Sequence, residues 1–155
     1  MILQELKNFI DHRGLSVAFG TRDKDLQPSF IRGFGISYNE SENSMSVFVP
    51  KAFSGKHLEN LQNNGRGALT LINTDNHVAY QFKGQYISTH DCNENELKIF
   101  QENITAFGQF IAKYFGENML TVLQGFNIFP LITITFKVEE IFNQTPGPGA
   151  GKKIN

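Results

Sequence analysis

The chain has one cysteine, no tryptophan and almost no net charge: 14 Lys and Arg stand against 15 Asp and Glu, a formal charge of −1. The lone Cys92 rules out an internal disulfide and a cysteine-built zinc cage. Its acidic neighbours, Asp91 and Glu94, raise a thiol pKa, so Cys92 is not read as a nucleophile. Without an excess of basic residues, neither nucleic acid nor an anionic membrane is expected as a partner. No run approaches the ~18 apolar residues of a membrane span. Residues 1–9 are amphipathic, include Glu5 and Lys7, and lack the apolar centre of a signal peptide. A cytoplasmic protein is expected.

What is present is phenylalanine: 15 of 155 residues, in a chain that is 40% hydrophobic. A single domain over residues 1–155 is expected, large enough to bury about 70% of its unfolded surface.

Periodicity supplies the elements. Ile2, Leu3, Leu6, Phe9 and Ile10 share a helical face, ending near Gly14. Residues 15–20 alternate as a strand, 21–27 turn, and Pro28 opens a strand over 29–38. That strand has faces Phe30/Arg32/Phe34/Ile36 and Ile31/Gly33/Gly35/Ser37. A third strand over 44–49 completes a meander. A helix over 53–62 stops at Asn64-Gly65, and strands follow at 66–73 and 77–89. A longer helix over 93–115 carries Leu97, Phe100, Ile104, Phe107, Ile111 and Tyr114 at spacings of three and four. Residues 116–129 read as irregular, 131–142 as a strand, and 145–151 as a Pro/Gly loop before a basic tail. Six strands in hairpin order with few helices predict a mainly β fold, a six-stranded antiparallel barrel with short helices, because closure removes exposed edges.

Several familiar sites are excluded. Gly147 to Lys152 imitates a P-loop, but only three residues separate Gly147 from Gly151, Lys153 stands where Ser or Thr is needed, and no helix can follow. Histidines 12, 57, 77 and 90 show no metal-binding spacing; His57 reads as a packing or capping residue and His77 as a surface residue at a strand start. No nucleophile elbow is present.

Three features suit an anionic ligand. Ser54-Gly55-Lys56 lies at a helix entry, where unpaired N–H groups and the helix dipole favour phosphate; a simple N-cap at Ser54 is the alternative. Arg32 interrupts an apolar strand, either facing inward and requiring an anion or facing outward into solvent. Gln81, Lys83 and Gln85 share one strand face, either a solvated surface or a wall of donors for a polar heterocycle.

The order of these parts, from Phe30 to Tyr86 with Asn63-Asn64-Gly65-Arg66 after the helix, resembles the pyridoxamine 5′-phosphate oxidase-like FMN-binding split barrels. The ending from Ile141 to Gly151 is similar to a closing motif of small members. The resemblance implies a homodimer with two FMN sites at the subunit interface. Phosphate would sit at Ser54, Gly55 and Lys56, with Arg32 as a second cation. Arg32, Gly33, Phe34 and Gly35 would line the flavin ring through backbone groups, and Gln81 and Lys83 would approach from a neighbouring strand. It further implies an FMN-dependent oxidoreductase acting on a small substrate, with NAD(P)H as an eligible electron donor. A non-catalytic flavin carrier or sensor, or a binder of haem or a deazaflavin, is the alternative. The chain departs from the oxidase pattern at Ser37 and Gly55, where that family places a lysine and an arginine, and it lacks an Arg- and Trp-rich C-terminal extension. A substrate other than pyridoxamine phosphate is therefore expected.

Overall fold

A computed structural model describes residues 4–125 and 128–154. The elements are α1 (Gln4–Ile10), β1 (Leu15–Arg22), β2 (Pro28–Gly33), β3 (Gly35–Asn39), β4 (Ser44–Pro50), a 3-10 turn (Lys51–Phe53), α2 (Gly55–Asn64), β5 (Arg66–Asn73), β6 (Ala79–Asp91), α3 (Glu94–Phe115), α4 (Asn118–Gln124) and β7 (Leu131–Asn143). Ile2 and Leu3, expected on the first helical face, lie outside the described residues.

All seven strands form one antiparallel sheet in the order β2-β1-β5-β6-β7-β4-β3. The two edge strands are consecutive in the chain and meet at Phe34. The single strand expected over 29–38 therefore breaks there. Its first half pairs with β1, its second half with β4, and the sheet curls until one stretch of backbone serves both edges. This bend turns the six expected strands into seven. Phe34 donates its N–H to the Phe48 carbonyl (2.9 Å), so the break stays attached to the far wall.

Strand alternation fills the barrel. Leu15, Val17 and Phe19 of β1 point inward, opposite Leu69 and Leu71 of β5, Phe82 of β6 and Ile134 and Phe136 of β7. The rings of Phe19 and Phe136 approach within 5.8 Å between centroids, which marks the narrow interior. Gly33 and Gly35 flank the break for a steric reason. A Cβ at Gly33 would lie 2.6 Å from Val17 and 2.7 Å from Val47; one at Gly35 would lie 2.8 Å from Phe48.

The helices close the open sides. Leu6 and Ile10 of α1 are buried, and Phe9 meets Tyr80 edge-on at 4.9 Å. Helix α2 ends as expected, with Gly65 left-handed (φ 68°) and its N–H on the Leu61 carbonyl. Helix α3 begins with a capping box: Asn93 accepts from the Glu96 N–H while Glu96 accepts from the Asn93 N–H. Phe100 of α3 joins Phe48 and Leu131 in a second cluster outside the barrel. Two expectations are corrected. Within 116–129, residues Asn118–Gln124 form a helix. Strand β6 starts at Ala79, because His77 adopts a left-handed turn conformation (φ 61°) that a strand does not permit.

Candidate functional site

Antiparallel register sets out the outer face of β2, β1, β5 and β6 as rows. Arg32 faces Ala18, Ala18 faces Thr70, and Thr70 faces Gln81. The next row runs Phe30, Gly20, Ala68, Lys83. Ile31 and Gly33 point into the core, so Arg32 points out. An inward arginine is thus corrected: the barrel interior is filled by Val17 and Val47 at that level, with no space for a guanidinium.

Arg32 is nevertheless not simply solvated. Its guanidinium lies 4.9 Å from the Phe107 ring centre on α3 and 6.0 Å from Phe34. Desolvation against these rings lowers its pKa from the ordinary value. It has no ion-pair partner among the described residues. It lines a cleft of about 640 Å³ whose other walls include Phe34, Pro50, Phe53, Ile104, Phe107 and Leu123. That size and apolar character suit a small-molecule ligand. The α3–α4 wall was missed in the sequence. Ile104 and Phe107 sit on the apolar stripe of the long helix, but nothing in the stripe distinguishes a cleft wall from a core contact.

Phe53 joins this cleft to the start of α2. Ser54 occupies the N-cap position, yet its side chain does not cap. It is 2% exposed, and its hydroxyl donates to the Lys51 carbonyl at 2.8 Å. With that hydroxyl engaged, the first-turn N–H groups of Gly55, Lys56 and His57 have no acceptor among the described residues. Gly55 is open, with no atom within 4 Å of a Cβ built there. Lys56 is exposed and forms no ion pair among the described residues; it borders a separate hollow with Asp23, Asp25 and Glu59.

The other named residues have defined places. The Phe34 carbonyl accepts from Asn103 Nδ2 (3.2 Å), so both backbone groups of Phe34 are engaged within the protein. Gln81 donates to Thr70 Oγ1 (3.2 Å), and Lys83 Nζ stands 4.5 Å from the Phe142 ring centre. Arg32, Lys56 and Lys83 therefore open onto three different hollows of one chain. Beneath α2, His57 is buried and bonds through Nδ1 to Thr21 Oγ1 (2.9 Å), which also accepts from Asn60. Burial, and then the Lys56 charge, lower its pKa. Burial also pushes the Cys92 thiol up, reinforced by Glu96 and Asp91 and opposed by a bond to Thr133. Among the described residues no cluster of His, Cys, Asp and Glu could hold a metal, and no helix is long and apolar enough to cross a membrane.

No family model matches the sequence, and no curated protein does. Solved structures do match. HupZ from Group A Streptococcus is 17% identical over 97% of this chain and 100% of that one, with a TM-score of 0.56. A candidate pyridoxamine 5′-phosphate oxidase from Lactobacillus delbrueckii is 15% identical over 91% and 93%, with a TM-score of 0.54. An FMN-binding protein from Syntrophomonas wolfei is 14% identical over 90% and 84%, with a TM-score of 0.53. What is shared is the fold, the split barrel of pyridoxamine 5′-phosphate oxidase-like proteins.

Proposed function

We propose that this chain binds FMN and works as a small flavin-dependent oxidoreductase. The observation that carries the reading is the 640 Å³ apolar cleft, with Arg32 on one wall and Phe53 leading directly into the first turn of α2. The donor set fits the cofactor. Aromatic and aliphatic walls suit a flat ring system, and unpaired helix N–H groups beside Lys56 suit a phosphate. An FMN-binding protein with the same fold supports the choice of ligand.

In this reading Gly55, Lys56 and the α2 start hold the phosphate. Arg32 supplies a second positive charge. Phe34, Phe53 and Phe107 exclude water from the ring. FMN, when bound, supplies the electron chemistry, and the protein orients it and tunes it through charge and hydrogen bonds. Ser54 contributes by holding the turn before α2 through its hydroxyl bond to the Lys51 carbonyl, not by contacting the phosphate.

The reading includes a homodimer. Arg32 and Gln81 share a row but are separated by three strand steps, roughly 14 Å at normal sheet spacing. One chain cannot bring both to a single ring. A second copy packed on this face would set its Gln81 and Lys83 against the cleft of the first.

A haem-binding alternative has less support. Among the described residues lining the cleft none is His, Cys, Met or Tyr, so this chain offers no axial ligand there. A deazaflavin remains chemically compatible with the same walls, and an F420 reductase shares the fold (TM-score 0.51, 14% identity).

The test is an absorption spectrum of the purified protein from 300 to 600 nm before and after adding FMN, followed by gel filtration. Flavin bands that travel with the protein in a dimer-sized peak are expected. Colourless protein that also fails to retain added FMN would overturn the reading. Bound FMN that NADH, NADPH and a chemical acceptor all fail to turn over would replace the oxidoreductase with a flavin carrier.

A further inference from the structure

Helices α3 and α4 border a hollow of about 470 Å³, and no strand residue lines it. It therefore lies off the sheet face assigned to the second copy. Gly108 helps to shape it. Glycine inside a helix is unfavourable, and here it sits buried in α3. A Cβ at Gly108 would lie 2.9 Å from Leu120 Cδ2, so the glycine lets α4 lie close against α3. At one side Phe100 and Phe129 form an aromatic corner, with ring planes at 82° and centroids 5.4 Å apart. Ile104, Leu123 and Ile128 line this hollow and also the cleft that contains Arg32, so the two share a wall.

The lining selects the chemistry of an occupant. No Asp, Glu, Lys, Arg or His is among the lining residues. The polar side chains are Gln101, Thr105 and Gln109, four residues apart and exposed on one side of α3. The Thr105 hydroxyl is engaged within the helix: it donates to the Gln101 carbonyl (2.8 Å) and accepts from the Gln101 amide (3.4 Å). The Gln109 side chain has no hydrogen bond to another described residue, so its amide is free for a ligand. A charged molecule would lose water here and gain no counter-charge. A flat uncharged ring can stack on one face of the aromatic corner and meet the edge of the other. Phe129 is 56% exposed, so ring surface is left for that contact.

We infer that this chamber binds an uncharged aromatic small molecule. Apolar walls with a few polar groups at one side, at this volume, are the usual make-up of a small-molecule site. Naming the occupant as the substrate rests on the flavin reading: the shared wall of Ile104, Leu123 and Ile128 would set it beside the cofactor. The chamber itself stands on shape and lack of charge.

Thr105 gives a way to block the chamber, because it lines this hollow and not the Arg32 cleft, and it is exposed on the helix. The experiment is equilibrium dialysis at pH 7 with 2-naphthol, with 2-naphthoate as the charged control. It is run on the parent protein with and without saturating FMN, beside a separate FMN titration. In the presence of FMN, 2-naphthol is expected to bind at least ~10-fold more tightly than 2-naphthoate. Thr105→Trp should weaken 2-naphthol at least ~10-fold by filling the chamber and should leave FMN affinity unchanged. Gln101→Trp, one turn earlier on the same row, replaces it if Thr105→Trp does not fold. No 2-naphthol binding at millimolar concentration would overturn the proposal. So would equal binding of 2-naphthoate, competitive displacement by FMN, or binding that the folded Trp variant does not change. The flavin reading is judged separately: 2-naphthol bound by a protein that takes up no FMN would support the chamber and sink the cofactor.

Discussion

Asn103, in the middle of α3, donates its side-chain amide to the carbonyl of Phe34 at 3.2 Å, at the point where the closing strand changes partners. The same side chain accepts from the Gly14 N–H (2.9 Å) and reaches the Leu15 carbonyl (3.4 Å). One buried amide therefore serves three backbone groups at the barrel's seam. It couples the barrel's seam to the helix that walls the candidate cofactor cleft. Asn103→Ala should cost about 2–3 kcal/mol, since it leaves buried backbone groups unpaired. The check is the urea midpoint. A variant as stable as the parent would mean that water replaces the amide and that α3 does not pin the seam.

The seam makes a second demand at Gly33. A methyl group there would press on Val17 and Val47, side chains of two different walls, at distances below normal contact. Both are fully packed valines with few rotamers to escape into. Gly33→Ala is expected to destabilise by about 1–3 kcal/mol through overpacking. The neighbouring outward position, Arg32→Ala, should leave the urea midpoint nearly unchanged while weakening FMN. Equal losses of stability in the two variants would contradict the assigned faces.

Much of this architecture was legible because alternation and punctuation agreed. Residues 66–73 read as a strand and form β5; Asn64-Gly65 read as a helix stop and forms one. The break at Phe34 was not legible. Local pattern describes each residue's own face, whereas the break is imposed by closure, which needs one strand to pair with both β1 and β4. Glycines 33 and 35 were the available signal, and their cause is packing against Val17, Val47 and Phe48. The helix Asn118–Gln124 was hidden for a different reason. Gly116 and Gly125 bracket a helix of only seven residues, too short to show periodicity. At the site, residue types were legible but their grouping was not. Arg32 and Lys83 belong to different hollows because strand spacing, which sequence does not display, separates them, and Lys56 opens onto a third from α2.

His57 predicts a pH dependence. Its folded pKa lies below the ordinary 6.5, first through burial and second through Lys56. The unfolded chain therefore binds a proton more readily than the folded one. The sign follows: His57 leaves stability intact above about pH 6.5 and removes it as pH falls below 6.5 toward the depressed folded value. Wild-type protein should lose urea resistance between pH 7.5 and 5.5, and His57→Gln should lose less over the same range. An unchanged pH slope in His57→Gln would show that another group controls the acid limb.

The start of α2 separates phosphate recognition from ring recognition, because riboflavin shares the ring of FMN and lacks the phosphate. Lys56→Ala should weaken FMN by ~1–3 kcal/mol, toward the lower end because Lys56 is exposed and screened. Riboflavin affinity should stay the same. Gly55→Arg is the complementary gain. Its side chain enters open space, its backbone needs no positive φ, and leaving glycine removes up to ~1 kcal/mol of helix penalty. Against this, a cation in the first turn opposes the helix dipole by ~0.3–1 kcal/mol when no anion is bound. The thermal midpoint without ligand should therefore barely move. FMN affinity should rise severalfold, and riboflavin affinity should not. If Gly55→Arg strengthens both ligands equally, or neither, the phosphate does not sit at the α2 start and the orientation of the cofactor in the cleft must be reversed.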